Sequence, residues 1–300
     1  MILVLWLSIP GAVRGQVYSG GDPEGATLTP FAPWDTNGPA PTGILWKNGL
    51  QACTSGPDDM VIAGYAYDGI RALGPSPYEG FAYEVPILGM YELSQDPLFD
   101  EDDVITALAA TPARDAVYVA FHPIFPTASC LPILRVELDG TWTVAVTCDE
   151  IGAFEAGANR VRVLATAADG TLYAVVRYQD VGVEAVLRID PAGEPMKRTE
   201  RILSGDGVLP PSPDLTGDAL FVQIAALEDG ALAVLARIGV VHDAWTEEGW
   251  VLLRRDADGT LTELTTRERI ADLSGVNVDA DLPAYSCLRG MLYDEQDKML

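Results

Sequence analysis

Three hundred residues, 48% apolar and 21% charged, are enough to bury a large core and too apolar for an intrinsically disordered chain. The net charge of −25 comes from 44 acids against 19 bases, and only Lys47, Lys197 and Lys298 are lysines. Such a surface repels phosphate backbones and anionic lipid heads, which disfavours nucleic-acid and membrane-surface partners. It reads as a solubilising surface, with cation binding or steering as the functional alternative.

In chain order, residues 1–15 open with the apolar run Ile2 to Val13, too short for a membrane-spanning helix but suited to the hydrophobic part of a secretory signal. Val13-Arg14-Gly15 before Gln16 offers a small-residue cleavage context, although no base precedes the apolar run. The alternatives are an ordinary first strand or a start placed inside a longer signal. Export would put the protein in the medium, the periplasm or at the cell surface. No other segment is long and apolar enough to cross a membrane as a helix. Residues 16–48 are rich in Gly, Pro, Thr and Asp, show neither strand nor helix period, and read as an extended segment, either a surface stalk or a stretch lying along the folded body with Phe31, Trp34 and Trp46 as anchors.

Residues 49–300 carry a repeat. Asp59-Met60-Val61, Asp115-Ala116-Val117, Gly170-Thr171-Leu172, Gly230-Ala231-Leu232 and Gly290-Met291-Leu292 start similar strands at offsets of 56, 55, 60 and 60 residues. Four strands fit one period: about 104–110, 116–121, 131–138 and 141–147 in the second unit; 160–168, 171–178, 184–190 and 196–203 in the third; 219–227, 231–238, 250–255 and 261–266 in the fourth. Asp139-Gly140, Asp169-Gly170, Asp229-Gly230 and Asp258-Gly259 supply the tight turns. Strands apolar on both faces, such as Tyr173-Ala174-Val175-Val176, suit a sheet covered on both sides. No helix is expected; Thr265 to Leu273 is the best candidate and lacks an apolar stripe. The expectation is an all-β β-propeller of about five four-stranded blades, with the N-terminal segment completing the last unit. An end at Leu300 just after an inner-strand pair also fits an incomplete or truncated ring.

Four cysteines, with no CxxC pair and only His122 and His242 beside them, favour disulfides over a zinc site. Leu134, Val136, Leu138, Trp142, Val144 and Val146 share a face only if Val136 pairs with Trp142 and Leu134 with Val144 through a three-residue loop bulged at Gly140. That register sets Cys130 opposite Cys148 and predicts a disulfide between them. Cys53 and Cys287 form the second expected pair; both precede inner strands, so in a five-unit ring their bond would close the circle. The alternative is two separate buried thiols.

Asp169-Gly170-Thr171-Leu172-Tyr173-Ala174-Val175 followed by Leu187-Arg188-Ile189-Asp190 resembles the blade of NHL-type and SMP-30/gluconolactonase-like β-propellers. Units two and four match in part, at Leu134 to Gly140 and Leu252 to Gly259. The resemblance implies blade turns and packing; the lactonase members' metal ligands have no matching motif here, and no catalytic residue is assigned. Asp58-Asp59, Asp100 to Asp103 and Asp279 with Asp281 are acidic clusters that read as solvated loops, too sparse for a calcium site or a glycosidase pair. Asp256 to Gly259 imitates a calcium loop and then continues into a strand. No cofactor is expected. The sequence therefore points to a monomeric, exported, non-enzymatic binding or scaffold module for a protein or glycan ligand. The alternatives are a propeller hydrolase or lactonase with a divalent metal in the central channel, and an adhesive surface protein tethered by the Pro/Gly segment.

Overall fold

The computed structural model describes residues 2–9, 12–19, 28–30, 50–57, 60–65, 68–75, 82–123, 130–155, 159–180, 182–206, 219–227, 229–239 and 248–266. Four four-stranded sheets share one topology, a simple antiparallel meander in sequence order. They are β4 (Leu50–Ser55), β5 (Val61–Tyr65), β6 (Gly69–Pro75) and β7 (Ala82–Leu88); β8 (Val104–Ala110), β9 (Ala116–His122), β10 (Ile133–Glu137) and β11 (Trp142–Val146); β12 (Asn159–Thr166), β13 (Leu172–Tyr178), β14 (Val183–Ile189) and β15 (Thr199–Ser204); and β16 (Ala219–Ala226), β17 (Leu232–Gly239), β18 (Glu248–Arg255) and β19 (Leu261–Thr266). The fold is all-β and of β-propeller type, with four four-stranded blades among the described residues. The expectation of about five blades is not met there, because the unit expected at Gly290 lies outside them.

Residues 32–203 form one unit, holding the first three blades. Its inner order follows from residues that are apolar on both faces. Along β9, Val117, Val119 and Phe121 join a core with Ile62, Ile70 and Leu88 of the first blade, while Tyr118 and Ala120 join Leu172, Ala174 and Val176 of the third. Successive side chains point to opposite faces of a strand, so one buried strand feeds two cores, and each fully buried Val or Leu contributes about 1.5–3 kcal/mol. The first strands are also stitched together at equivalent places: Thr54 Oγ1 accepts from Ala110 N at 3.1 Å, and Thr166 Oγ1 donates to Ala110 O. Residues 1–31 and 204–300 form the other unit. It holds the β16–β19 blade and a separate three-stranded sheet of β1 (Ile2–Ile9), β2 (Ala12–Ser19) and β3 (Leu28–Pro30).

Strand is present near the N-terminus: β1 pairs along its length with β2, in keeping with the first-strand alternative, and β3 pairs with β2 from Gln16 to Tyr18, in a segment whose sequence shows no strand period. Helix is also present, as two single turns, α1 (Met90–Leu93) and α2 (Cys148–Ile151). Each turn has a Glu at its third position reaching back to the preceding backbone amide, a short-range signal that no apolar periodicity announces. No helix among the described residues is long and apolar enough to cross a membrane.

The β10–β11 hairpin has the expected register, with Val136 opposite Trp142 and Leu134 opposite Val144. Gly140 turns it at φ +88°, and a Cβ there would stand 2.4 Å from the carbonyl oxygen of Ile87 in the neighbouring blade. Gly170 has nearly the same backbone, φ +90°, with no atom of the described residues within 4 Å of its would-be Cβ. Gly170→Ala should therefore cost about 1 kcal/mol, the left-handed penalty alone, and Gly140→Ala at least twice that, because a backbone oxygen cannot swing aside. Urea denaturation of the two variants checks this; equal midpoints would contradict the contact.

Every first strand carries a β-bulge at the equivalent step, between Leu50 and Ala52, Ile105 and Ala107, Val161 and Val163, and Phe221 and Gln223. One extra residue there shifts the pairing beyond it by one and re-aims the skipped side chain. In the third blade that side chain is Arg162, and the shift assembles the charged row described next.

Candidate charged site at the sheet ends of the second and third blades

Beyond its bulge, β12 pairs Arg160 with Arg177 of β13, and Arg177 pairs with Glu184 of β14. Residues directly opposite in antiparallel strands share a face, so Arg160, Arg177 and Glu184 form one row across three strands. Arg162 donates from Nη1 to Glu184 Oε1, and Arg177 Nη1 stands 3.9 Å from the same oxygen. The Glu184 side chain is wholly buried, whereas those of Arg162 and Arg177 are about two-fifths exposed. Among the described residues three guanidiniums thus face one carboxylate, a formal excess of two positive charges in a chain of net −25.

Arg160 has no acceptor for its buried Nε among the described residues. Burial, and then repulsion from Arg162 and Arg177, hold its pKa below the usual guanidinium value. His122, at the end of β9, likewise has a buried Nδ1 without a partner. Burial and then the charge of Arg160 push its pKa down, so the imidazole is neutral at pH 7. Such an arrangement can seat and orient an oxyanion. It cannot hold a divalent cation, because three guanidiniums outweigh the single carboxylate.

The arginines of the blade motif behave differently. Arg135, Arg188 and Arg254 stand opposite Tyr118, Tyr173 and Ala233 at the other end of the sheets. Arg135 pairs with Glu137 at 2.5 Å and lies 3.7 Å from Asp115; Arg188 lies 3.9 Å from Glu200; Arg254 bonds Asp229 and, at 2.7 Å, Asp256. These are structural ion pairs, and Asp256 to Gly259 is a hairpin turn. Asp139 closes its own turn similarly, accepting from Thr141 N at 2.9 Å.

A second polar cluster joins the second and third blades. Thr147 caps α2, and Glu150 takes hydrogen bonds from Thr147 N at 2.9 Å, Met196 N at 3.3 Å and Arg198 Nε at 2.7 Å. Arg198 also donates to Ala145 O and Pro191 O. Every partner is satisfied, which marks a latch and not a site. The Arg198 guanidinium, with these hydrogen bonds, pulls the Glu150 carboxyl down to about 2.

At the start of that helical turn, Cys148 faces Cys130 across the open end of the hairpin, close enough for each thiol to shift the other's pKa; both are free, and Cys130 Sγ donates to Leu131 O at 3.4 Å. A bulge between Ile133 and Leu134 pairs Ile133 with Val146, so the cysteines are offset from the directly opposed positions expected for them, yet they stay close enough to influence each other's ionisation. Cys53, opposite Ala63 on β4, is also a free thiol. Cys287, its expected partner, lies outside the described residues, as do His242, Asp58-Asp59, Asp279 and Asp281. Of the acidic run 100–103, Asp103 departs from the solvated-loop expectation: it is 4% exposed and accepts from Asp100 N at 2.8 Å. Among the described residues no group of three His, Cys, Asp or Glu could hold a metal ion.

No family model matches the chain, and no curated relative does. Solved structures similar to it include a puromycin hydrolase S511A mutant (12% identity, TM-score 0.41, 70% of this chain and 28% of that one) and a luciferin-regenerating enzyme (11%, 0.43, 73% and 62%). The periplasmic gluconolactonase of Pseudomonas aeruginosa is similar at 14% identity and TM-score 0.45, over 89% of this chain and 82% of that one. This chain spans less than two thirds of the length of the first two, and no activity is carried over from any of the three.

Proposed function

We propose that the chain is an exported, monomeric, non-enzymatic binding module of β-propeller type, taking its ligand at the sheet end where Arg160, Arg162 and Arg177 gather. The observation that carries this reading is the contrast between two sets of arginines. Arg135, Arg188 and Arg254 each have carboxylates beside them, as structural arginines in an acid-rich protein do. Arg160 has none among the described residues, although its Nε is buried. A buried donor without an acceptor costs about 1–3 kcal/mol, which a bound ligand would recover by drawing the Arg160 side chain out to meet it.

Thermal-shift screening of the full-length protein against neutral and charged small molecules and short glycans tests this, run beside a lactone-hydrolysis assay with and without Ca²⁺, Mg²⁺ and Zn²⁺. The expected result is a ligand that raises the melting temperature without turnover; at a hundred times its Kd it adds about 2.7 kcal/mol of stability. Metal-dependent lactone hydrolysis would overturn the reading in favour of a propeller hydrolase.

A further inference from the structure

The geometry points to a small organic carboxylate, with more than one carboxyl group, as the ligand of the Arg160–Arg162–Arg177 row. This rests on reading that sheet end as the binding end. Each guanidinium presents five N–H donors in a planar fork that matches a carboxylate two bonds at a time. Glu184 takes a hydrogen bond from Arg162 and lies 3.9 Å from Arg177, and a single carboxylate can engage only part of the donors that three guanidiniums carry.

Direct opposition of Arg160 and Arg177 is unfavourable between like charges, and one buried carboxylate does not balance it. The formal excess of two positive charges calls for a ligand with two negative ones. Neutral His122 adds a ring that can donate or accept without adding charge. The exposed parts of Arg162 and Arg177 leave the row open to a small molecule, whereas the buried Nε of Arg160 waits at its inner end.

Isothermal titration of the full-length protein with succinate, citrate, their neutral amides and inorganic phosphate tests the assignment. Binding is expected for the carboxylates and not the amides, weakening as NaCl rises from 20 to 200 mM. Arg160→Gln and Arg177→Gln should each weaken it at least tenfold, Arg160→Lys less, and Arg188→Gln, at the far end of the sheet, not at all. Glu184→Gln, which removes the one opposing charge, should tighten it; this guards against reading a general loss of fold as loss of the site. The inference is overturned if no carboxylate binds the wild type, if phosphate binds more tightly than every carboxylate, or if Arg160→Gln and Arg177→Gln bind as the wild type does. A neutral ligand found by thermal shift and lost in Arg160→Gln would overturn the carboxylate assignment while leaving the binding reading standing. No ligand of any kind would remove both.

Discussion

Glu150→Gln should cost about 3 kcal/mol or more at pH 7, among the largest losses from any single polar substitution in this protein. The wild-type carboxyl sits at about 2 where an unperturbed glutamate titrates near 4.5, chiefly because Arg198 bonds its charged form. Two and a half pKa units correspond to about 3 kcal/mol of preference for the ionised state in the folded protein. Both side chains are nearly or wholly buried, so solvent screens the pair little. The amide leaves Arg198 as a buried cation with carbonyls for company, and breaking one side of a buried pair typically costs about 3–5 kcal/mol.

The sign of the pH dependence follows. A group whose folded pKa is depressed stabilises the protein above its unfolded value, and the contribution drains away as pH falls through the folded one. The gap between wild type and Glu150→Gln, read by chemical denaturation, should be full above about pH 5 and shrink steadily towards pH 2. Protonation of surface carboxylates relieves the self-repulsion of a −25 chain in both proteins alike, so the difference isolates Glu150. A gap that stays constant down to pH 2 would mean that the loss is one of packing. Replacing Glu150 and Arg198 together by Leu and Met should cost less than the sum of the single changes, since neither charge is then stranded.

The blade pattern was readable because its causes are local. Asp-Gly turns fix hairpin ends, and paired apolar residues such as Val136 with Trp142 allow only one register. The charged row was not readable, and the reason is one residue wide. Counting back from Thr166 opposite Leu172 without a bulge places Arg160 opposite Tyr178, on the face that carries Tyr178 into the core; the skipped Arg162 slides the pairing so that Arg160 meets Arg177. Nothing in Arg160-Val161-Arg162-Val163 marks the bulge by composition. Its recurrence in all four blades would have been visible only by superposing first strands whose sequences differ, Gln51, Thr106, Arg162 and Val222 being the skipped residues. The Glu150–Arg198 latch escaped for a different reason: its partners lie 48 residues apart, on an inter-blade loop and at the foot of the next blade's last strand.

Mild oxidation should join Cys130 to Cys148 and stabilise the protein by about 3 kcal/mol, the gain from closing a loop of this length in the unfolded chain. The two thiols already lie near each other at the mouth of the hairpin, so joining them asks for only a local adjustment. Their mutual influence divides the pair, pushing the Cys130 thiol up and pulling the Cys148 thiol down, which makes Cys148 the attacking thiolate. With a small-molecule disulfide as oxidant, Cys148 sulfur displaces one thiolate to form a mixed disulfide. Cys130, losing its proton to solvent, then displaces the second, and the two electrons end on the two released thiols. Cys53, whose pKa is raised by burial, should react more slowly with an alkylating reagent than Cys148. Peptide mapping after oxidation should recover one linked pair, 130 with 148, and the melting temperature should fall back on reduction in the wild type but not in Cys148→Ser. Finding Cys130 free after oxidation, or joined to Cys53 or Cys287, would contradict the contact at the mouth of the β10–β11 hairpin. A protein exported to an oxidising compartment would carry this bond from the start, and one isolated from a reducing cytosol would gain it only in the tube.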